Sequence, residues 1–476
     1  MAHVLVIGGG VAGLATALLA ARYGHTAELF ERDGRAPGAA LDRDFFGWHR
    51  PGVPQAAQPH ALLGAARTVL RRELPDVHAE MLRLGARERH ELDWFDVRPP
   101  AQPGDEDLVM LQARRIVLES ALTTALRAEP GAVMRHGEPV TGLVAEPRGS
   151  AVRVRGVTTP AGAYAGDLVV DAGGRRGGVE RLLPAAGCRP AVVERHRTGL
   201  AYFCRWYRLP EGREEGPRRP WAVTGNAFAG CAVFPADNRV FAVTLFVHTR
   251  DTTRAALRDP AVFEAAARAF PPGAAWLELG AEPLSGVLAA GGLDNRWSAL
   301  VDERGPVATG LVPIGDALTH TNPTLGQGIS LALWAACRVA RTAHQDPGAV
   351  RFAAAYHAWA VRTLKPWFDF QVVADAAIGE RFATRAGRGD SARAVAALFE
   401  CALEDPEVMR ARARVRHLVE PPERAYADPR VRARVERWLA ARPGYAPHAV
   451  GPDRQEWERL VYDPDPATSP STSARS

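Results

Sequence analysis

Lysine is almost absent: Lys365 is the only one among 59 basic residues, and the others are arginine. The 54 acidic residues are interspersed with those arginines, so the net charge of +5 and the pI of about 9.1 trace no basic groove. Abundant Ala, Gly and Pro beside the arginine read as GC-rich coding rather than polyanion binding. RRM, zinc-finger and helix-turn-helix signatures are missing too, so nucleic acid is not an expected partner. Cysteine is scarce: Cys188, Cys204, Cys231, Cys337 and Cys401 are scattered, with no CxxC pair. That pattern argues against a disulfide framework or a zinc site and fits a reducing compartment; no metal is expected. No run approaches the ~20 apolar residues of a membrane span. The opening MAHVLVIGGG lacks a basic region, and glycine interrupts its apolar stretch, so it reads as a strand rather than a secretory signal. The expectation is a soluble cytoplasmic protein with no membrane partner. HExxH and Gly-x-Ser-x-Gly are missing as well, which leaves metalloprotease and hydrolase chemistry without support.

What is present is ordinary globular composition, 47% hydrophobic and 24% charged over 476 residues, enough for two or three domains. Residues 3–7 form a short apolar run suited to a buried parallel strand, and Gly8-x-Gly10-x-x-Gly13 follows at once. LATALLAARYG then places Leu14, Ala17, Leu18 and Ala21 on one helical face, with Gly24 as a cap. A second strand, TAELFE, ends in Glu31. Each glycine has a reason in this frame: Gly8 for the tight turn, Gly10 for close approach to a pyrophosphate, Gly13 for helix–strand packing. The backbone at Val11 and Ala12 opens the helix and can face an anion. Glu31 lies 23 residues after Gly8, the place of an acidic residue that grips a ribose hydroxyl. The motif says dinucleotide; alone it does not choose between FAD and NAD.

A second glycine turn stands some 300 residues later, in GDALTHTNPTLGQG at 315–328. The strand-like run GPVATGLVPI precedes it, and ISLALWAACRVARTAH after it reads as a buried helix. Gly326, Gln327 and Gly328 therefore open a helix with free N–H groups and a positive dipole end. Asp316 adds a carboxylate ten residues before Gly326. A ligand with hydroxyls and an electron-rich ring suits that pair, as the ribityl chain and pyrimidine edge of a flavin do. NAD alone would not need a second dedicated turn. Two turns this far apart in sequence are expected to hold opposite ends of one long cofactor.

The first glycine motif with Phe30, Glu31 and Arg32, then GDLVVDAGGRRGGVERLL at 166–183, then the 315–328 turn recur in one order. In that order they resemble FAD-dependent aromatic hydroxylases and their epoxidase and halogenase relatives; RPGVPQAAQPHALL at 50–63 resembles a loop of a bacterial subgroup that includes polyether epoxidases. That loop usually carries an Arg and a His where Ala57 and Gln58 stand here, while His60 remains. The resemblance implies an α/β fold: a Rossmann-like FAD-binding domain of the glutathione-reductase type, a β-sheet substrate domain and C-terminal helices. It implies that Glu31 binds the adenosine ribose and that Arg32 lies over the adenine. Arg115 would meet the phosphate or ribityl region, with Arg114 as the alternative. Asp316 would bind ribityl hydroxyls, Pro323 would sit beside the isoalloxazine, and Gly326 to Gly328 would face its N1–C2=O edge, where reduced flavin carries negative charge. Asp171 belongs to the middle motif, with Gly177 and Gly178 in place of the usual Ser region; it reads equally as a strand-end residue. His60 and His320 are candidates to orient a substrate or move a proton.

The boundaries read from this pattern are a discontinuous FAD-binding domain (1–75, 105–190 and 290–345), a substrate domain (76–104 and 191–289), a helical region (346–460) and a disordered tail (461–476). Residues 200–209 and 238–249 read as strands, 251–270 as helical, and Pro366 should break the first C-terminal helix. That region reads as a helical cap, a dimer surface, or a cavity wall using Trp359, Trp367 and Phe368. The implied activity is insertion of one oxygen atom from O2 into an electron-rich aromatic or alkene substrate through a C4a-hydroperoxyflavin, in secondary metabolism. Electrons would come from NADH or NADPH, or from a partner flavin reductase, since no second GxGxxG marks a nicotinamide domain. The substrate would be small and apolar or aromatic, and the protein a monomer or homodimer. Rivals are an oxygen-independent alkene reductase or dehydrogenase, a non-catalytic flavin module, and a halogenase. The last would need an active-site Lys in the N-terminal third and a Trp-x-Trp-x-x-Pro stretch; Lys365 is the only lysine and no such stretch is found.

Overall fold

Alternating side chains of a five-stranded parallel sheet divide the interior into two cores. The structure is a computed structural model and describes residues 1–148, 151–176, 178–217, 223–384, 390–447 and 449–463. The sheet runs in the order Leu311–Pro313, Leu168–Asp171, His3–Ile7, Thr26–Glu31, Ala132–His136. Val4, Val6, Leu29, Val170 and Val312 point to one face, under the helices Val11–Arg22, Arg115–Ala128 and Gly328–Thr342. Leu5, Ile7, Phe30, Val169 and Leu311 point to the other, against Val154 and Val157 of a smaller sheet. Covering both faces is why these strands read as unbroken apolar runs. The strand–turn–helix–strand expected over 3–31 is found, with Gly24 in the left-handed region just past the helix (φ +81°).

The second layer is an antiparallel sheet of six strands. The two strands expected near 200 and 240 are Leu200–Arg208 and Val240–His248, paired along their whole length from Leu200↔His248 to Arg208↔Val240. On one face Phe203, Phe241 and Leu245 pack against Phe263, Trp276 and Trp457 of the helices behind them. The opposite face carries Tyr202, Phe234 and Phe246. The stretch at 251–270 is helical in two pieces, a 3-10 segment Thr252–Arg258 and the helix Pro260–Arg268. Asp259 starts the second by accepting the N–H groups of Ala261 (2.8 Å) and Val262 (3.2 Å), with Pro260 at the first helical position.

Residues 76–104 hold the helix Pro75–Arg83 and the strand Arg87–His90, which pairs with Val109–Gln112. Val77 and Met81 join a core that also takes Cys204, Trp206, Val240 and Ala242 of the antiparallel sheet. After residue 346 the chain is helical, and the break expected at Pro366 falls between Val350–Thr363 and Lys365–Thr384. Val461 and Tyr462, read in sequence as the start of a tail, are the last two residues of a helix. The helix Arg454–Tyr462 buries Trp457 and Val461 in the core behind the antiparallel sheet, because its apolar residues recur one turn apart; residues 464–476 lie outside the described residues. Among the described residues no helix is long and apolar enough to cross a membrane.

Gly13 is the packing glycine of the first turn: a Cβ there would lie 1.8 Å from the Gly8 carbonyl oxygen. Gly13→Ala should cost about 3 kcal/mol or more, as overpacking against backbone does, and lower the denaturant midpoint. Gly286→Ala, with open space around it, is the control. A Gly13→Ala protein with the wild-type midpoint would remove this contact from the account.

Candidate active site

The two glycine turns meet. Gly8 adopts φ +101°, and a Cβ on it would lie 2.7 Å from the Ala172 carbonyl, so the chain can bend there only without a side chain. Gly315 opens the second turn at φ +54°, and a Cβ on it would stand 3.0 Å from the Cβ of Ala12 in the first helix. The helices Val11–Arg22 and Gly328–Thr342 thus begin side by side at the carboxyl ends of the parallel strands, where open α/β sheets bind ligands. Both starts open on one cavity of about 2060 Å³, larger than the ~300–1,000 Å³ of a typical small-ligand site.

Of the residues expected to bind a cofactor, Gly8, Gly10, Val11, Ala12, Glu31, Arg32, Arg115, Asp316, Gly326, Gln327 and Gly328 line this cavity. Gly13 does not; it packs inward on Gly8. Pro323, His60 and His320 also line it. Glu31 is buried at the strand end, where Oε2 accepts the Gly9 N–H at 2.5 Å and Oε1 the Asp33 N–H at 2.8 Å. The Arg32 guanidinium lies against Gly52, where a Cβ would come within 2.2 Å of it.

The neighbouring arginines part company. Arg114 is sealed in the core, its Nη2 at 2.5 Å from Asp237 and 2.6 Å from Asp42. Arg115 faces the cavity, with Nη2 placed 3.2 Å from where a Gly10 Cβ would be. Glu119, one helical turn on, holds it through Nε at 2.9 Å and takes Arg50 Nη1 on its other oxygen at 2.6 Å. Burial raises the cost of that carboxylate, but Arg115 and Arg50 outweigh it and hold its pKa below the ordinary range. Arg50 and Glu119 were not singled out in the sequence. The i,i+4 spacing of Arg115 and Glu119 was the available signal.

His60 Nδ1 lies 2.8 Å from the Gln58 carbonyl, which can only accept, so Nδ1 carries the proton and Nε2 is an acceptor. Desolvation, and then Arg115, bring its pKa down to about 4, so the ring is neutral near pH 7. His320 is buried, with Nδ1 2.7 Å from the Asp294 carbonyl. Asp171 stands apart from the main cavity, beside a small void shared with Glu180 and Arg296, and accepts the Gly173 N–H at 2.9 Å. Burial pushes its pKa up to about 6. Gly178 is left-handed (φ +92°), and Gly177 lies outside the described residues.

Beyond the turns the cavity becomes an apolar chamber between Tyr202, Phe234 and Phe246 of the antiparallel sheet and Phe370, Ala374, Ala377 and Ile378 of the helix Lys365–Thr384. The wall expected from Trp359, Trp367 and Phe368 is misplaced by a fraction of a turn. Trp367 and Phe368 are in the core, Phe368 at 5.9 Å from the Trp297 ring centre, and Trp359 packs on Tyr356. An aromatic-rich helix announces itself in sequence, but not which of its faces lines the cavity. Asn295, Asn322, Gln371 and Asp375, a buried polar cluster behind Pro323, were also missed, because their pairing joins segments far apart in sequence.

The fold is similar to those of solved FAD-dependent monooxygenases and halogenases, and the likeness is one of fold. PqsL of Pseudomonas aeruginosa, a probable FAD-dependent monooxygenase, superposes with a TM-score of 0.59 at 18% identity, covering 80% of this chain and 99% of PqsL. The flavin-dependent brominase Bmp2 does so at 0.59 and 16% identity, covering 92% of this chain and all of Bmp2 (100%). In sequence, residues 6–72 match an NAD(P)-binding Rossmann-like domain. Protein Rv3254 of Mycobacterium tuberculosis (strain ATCC 25618 / H37Rv) is 27% identical over 366 residues, 69% of this chain and 70% of that protein.

Two outcomes follow from the buried charges. Arg114→Ala strands Asp237 in the core and should cost about 3–5 kcal/mol in denaturant unfolding. Asp171 has a folded pKa raised above its ordinary 3.8, so its contribution is fully present below that value and is lost as pH rises through about 6. Asp171→Asn should therefore melt higher than wild type at pH 8, with the gain vanishing toward pH 4. Equal gains at both pH values would contradict a buried, reluctant carboxyl.

Proposed function

We propose that the protein is an FAD-dependent monooxygenase that places one atom of O2 on an electron-rich aromatic or alkene carbon. The observation that carries this reading is the meeting of two glycine turns on a single cavity that continues into an apolar chamber. The cradle fits the cofactor: Gly8, Gly10 and Gly326 bring bare backbone to the cavity, at positions where a Cβ would press on Ala172, Arg115 and Ala61. Glu31 would take the adenosine ribose and Arg32 would cover the adenine. Arg115, braced by Glu119 and Arg50, would meet the pyrophosphate or ribityl region, and Asp316 the ribityl hydroxyls. When bound and reduced, FAD supplies the electrons that activate O2. The start of the helix Gly328–Thr342 favours negative charge beside it through its free N–H groups. His60, neutral, offers Nε2 as an acceptor to a donor on substrate or cofactor. His320 would orient the substrate. The apolar walls at Phe234, Phe246, Phe370 and Ile378 exclude water, which otherwise diverts activated oxygen to peroxide.

In this reading the parallel-sheet part holds the cofactor, and the antiparallel sheet with the helix Lys365–Thr384 holds the substrate. The halogenase alternative is disfavoured by the one lysine. Lys365 is engaged with Asp369 and with Glu194 (3.0 Å) and does not line the cavity. An oxygen-independent alkene reductase shares the cradle and is separated by oxygen uptake. Electrons would come from NADH or NADPH directly, or from a partner reductase.

The purified protein should be yellow. Gly10→Glu or Asp316→Ala should lose most of the flavin, and Arg115→Ala should weaken FAD binding about tenfold or more, since it removes a charge-assisted contact. Normal flavin content in all three variants would count against the assignments. Under anaerobic conditions NADPH or NADH should bleach the flavin, faster with substrate present. On admitting air, product should form with matching oxygen uptake. Product without oxygen uptake would move the protein to the reductase class.

A further inference from the structure

Six side chains from four separate parts of the chain meet at the turn 322–324: Tyr202, Asn295, Asn322, Thr324, Gln371 and Asp375. Gln371 and Asp375 stand one turn apart on the same face of the helix Lys365–Thr384, and both are at most 1% exposed. Asp375 Oδ2 accepts from Asn295 Nδ2 at 2.7 Å and from Gln371 Nε2 at 2.9 Å. Its Oδ1 accepts from Asn322 Nδ2 at 2.9 Å and from the Thr324 hydroxyl. Asn295 Oδ1 in turn accepts the backbone N–H of Asn322 at 2.7 Å, and the Tyr202 hydroxyl donates to Asn322 Oδ1 at 3.0 Å.

Both carboxylate oxygens serve as acceptors, and all four partners are neutral. A buried charge held this way is a poor means of stabilising a fold, since apolar packing of the same volume does as well or better. Its location gives it another use. Thr324 and Tyr202 line the cavity, as does Ala374 beside Asp375, so the charge lies one side chain behind the wall where Pro323 to Gly328 face the ligand. The helix starting at Gly328 pulls the other way, favouring negative charge on that ligand.

We propose that Asp375 is the positioning residue of the Asn322–Pro323–Thr324 turn and that its charge opposes electron uptake by the ring held there. The proposal rests on the flavin reading above. The carboxylate fixes where Pro323 and the following N–H groups stand, and it sets a limit on how far the helix dipole can stabilise a reduced, anionic ring. Tyr202 extends the same fixed geometry to the substrate sheet.

The test uses Asp375→Asn, which keeps the shape and removes the charge, beside Gln371→Leu and Thr324→Val, which each remove one neutral partner. Two quantities are read: amide hydrogen exchange at 324–329, which needs no flavin, and the midpoint potential of bound flavin. Exchange should quicken about tenfold or more in Asp375→Asn and severalfold in the other two. The potential should move to more positive values in Asp375→Asn alone. Wild-type exchange in Asp375→Asn overturns the positioning half, and an unchanged potential overturns the electrostatic half. If Asp375→Asn does not fold, wild-type exchange in both remaining variants overturns the positioning half. Their potentials then judge the field, and a positive shift in either, with the charge still present, overturns it. If the protein takes up no FAD, the flavin reading falls and the electrostatic half falls with it, whereas the exchange measurement still judges the position of the turn.

Discussion

Backbone touching backbone is the constraint on which everything else depends. The first helix can start where it does only because Gly13 lets it sit on the Gly8 carbonyl. The second turn can close over that start only because Gly315 leaves room beside Ala12. With those contacts made, two helix N-termini point into one space, and two strand ends bring Glu31 and Asp316 to it. The cleft is therefore a result of close packing rather than of a hinge between independent lobes.

Much of this was legible in the sequence, and the reason is local. A glycine turn between a buried strand and a helix has a period and a spacing, so the 3–31 unit and the 315–342 unit could be placed almost residue by residue. The strands near 200 and 240 were legible from their β-forming composition, and their pairing only in the fold. What stayed hidden was orientation. Arg114 and Arg115 are adjacent in sequence, and only the fold sends one to Asp237 and the other to the cavity. Trp367 and Phe370 lie less than one turn apart, which is enough to put one in the core and the other on the chamber wall. Contacts such as Asn295 with Asp375 span 80 residues and leave no mark in the pattern of either segment.

The near absence of lysine gains a structural meaning beside these ion pairs. Arg50 and Arg115 share Glu119, and Arg114 binds Asp237 with several nitrogens at once. A planar fork serves two oxygens in a fixed geometry, which a flexible ammonium does not. Buried charges are therefore held rigidly, and Arg115 among them faces the cavity.

The helix Lys365–Thr384 has a double allegiance. One face borders the chamber through Phe370 and Ala377, and another grips the 322–324 turn through Gln371 and Asp375. Drift in this helix that reshapes the pocket for a new molecule also tugs on the segment that, in the proposed reading, stands next to the electron-carrying ring. Acceptance of new molecules and reactivity would then evolve in tandem, and descendants that diverge here should differ in both traits at once.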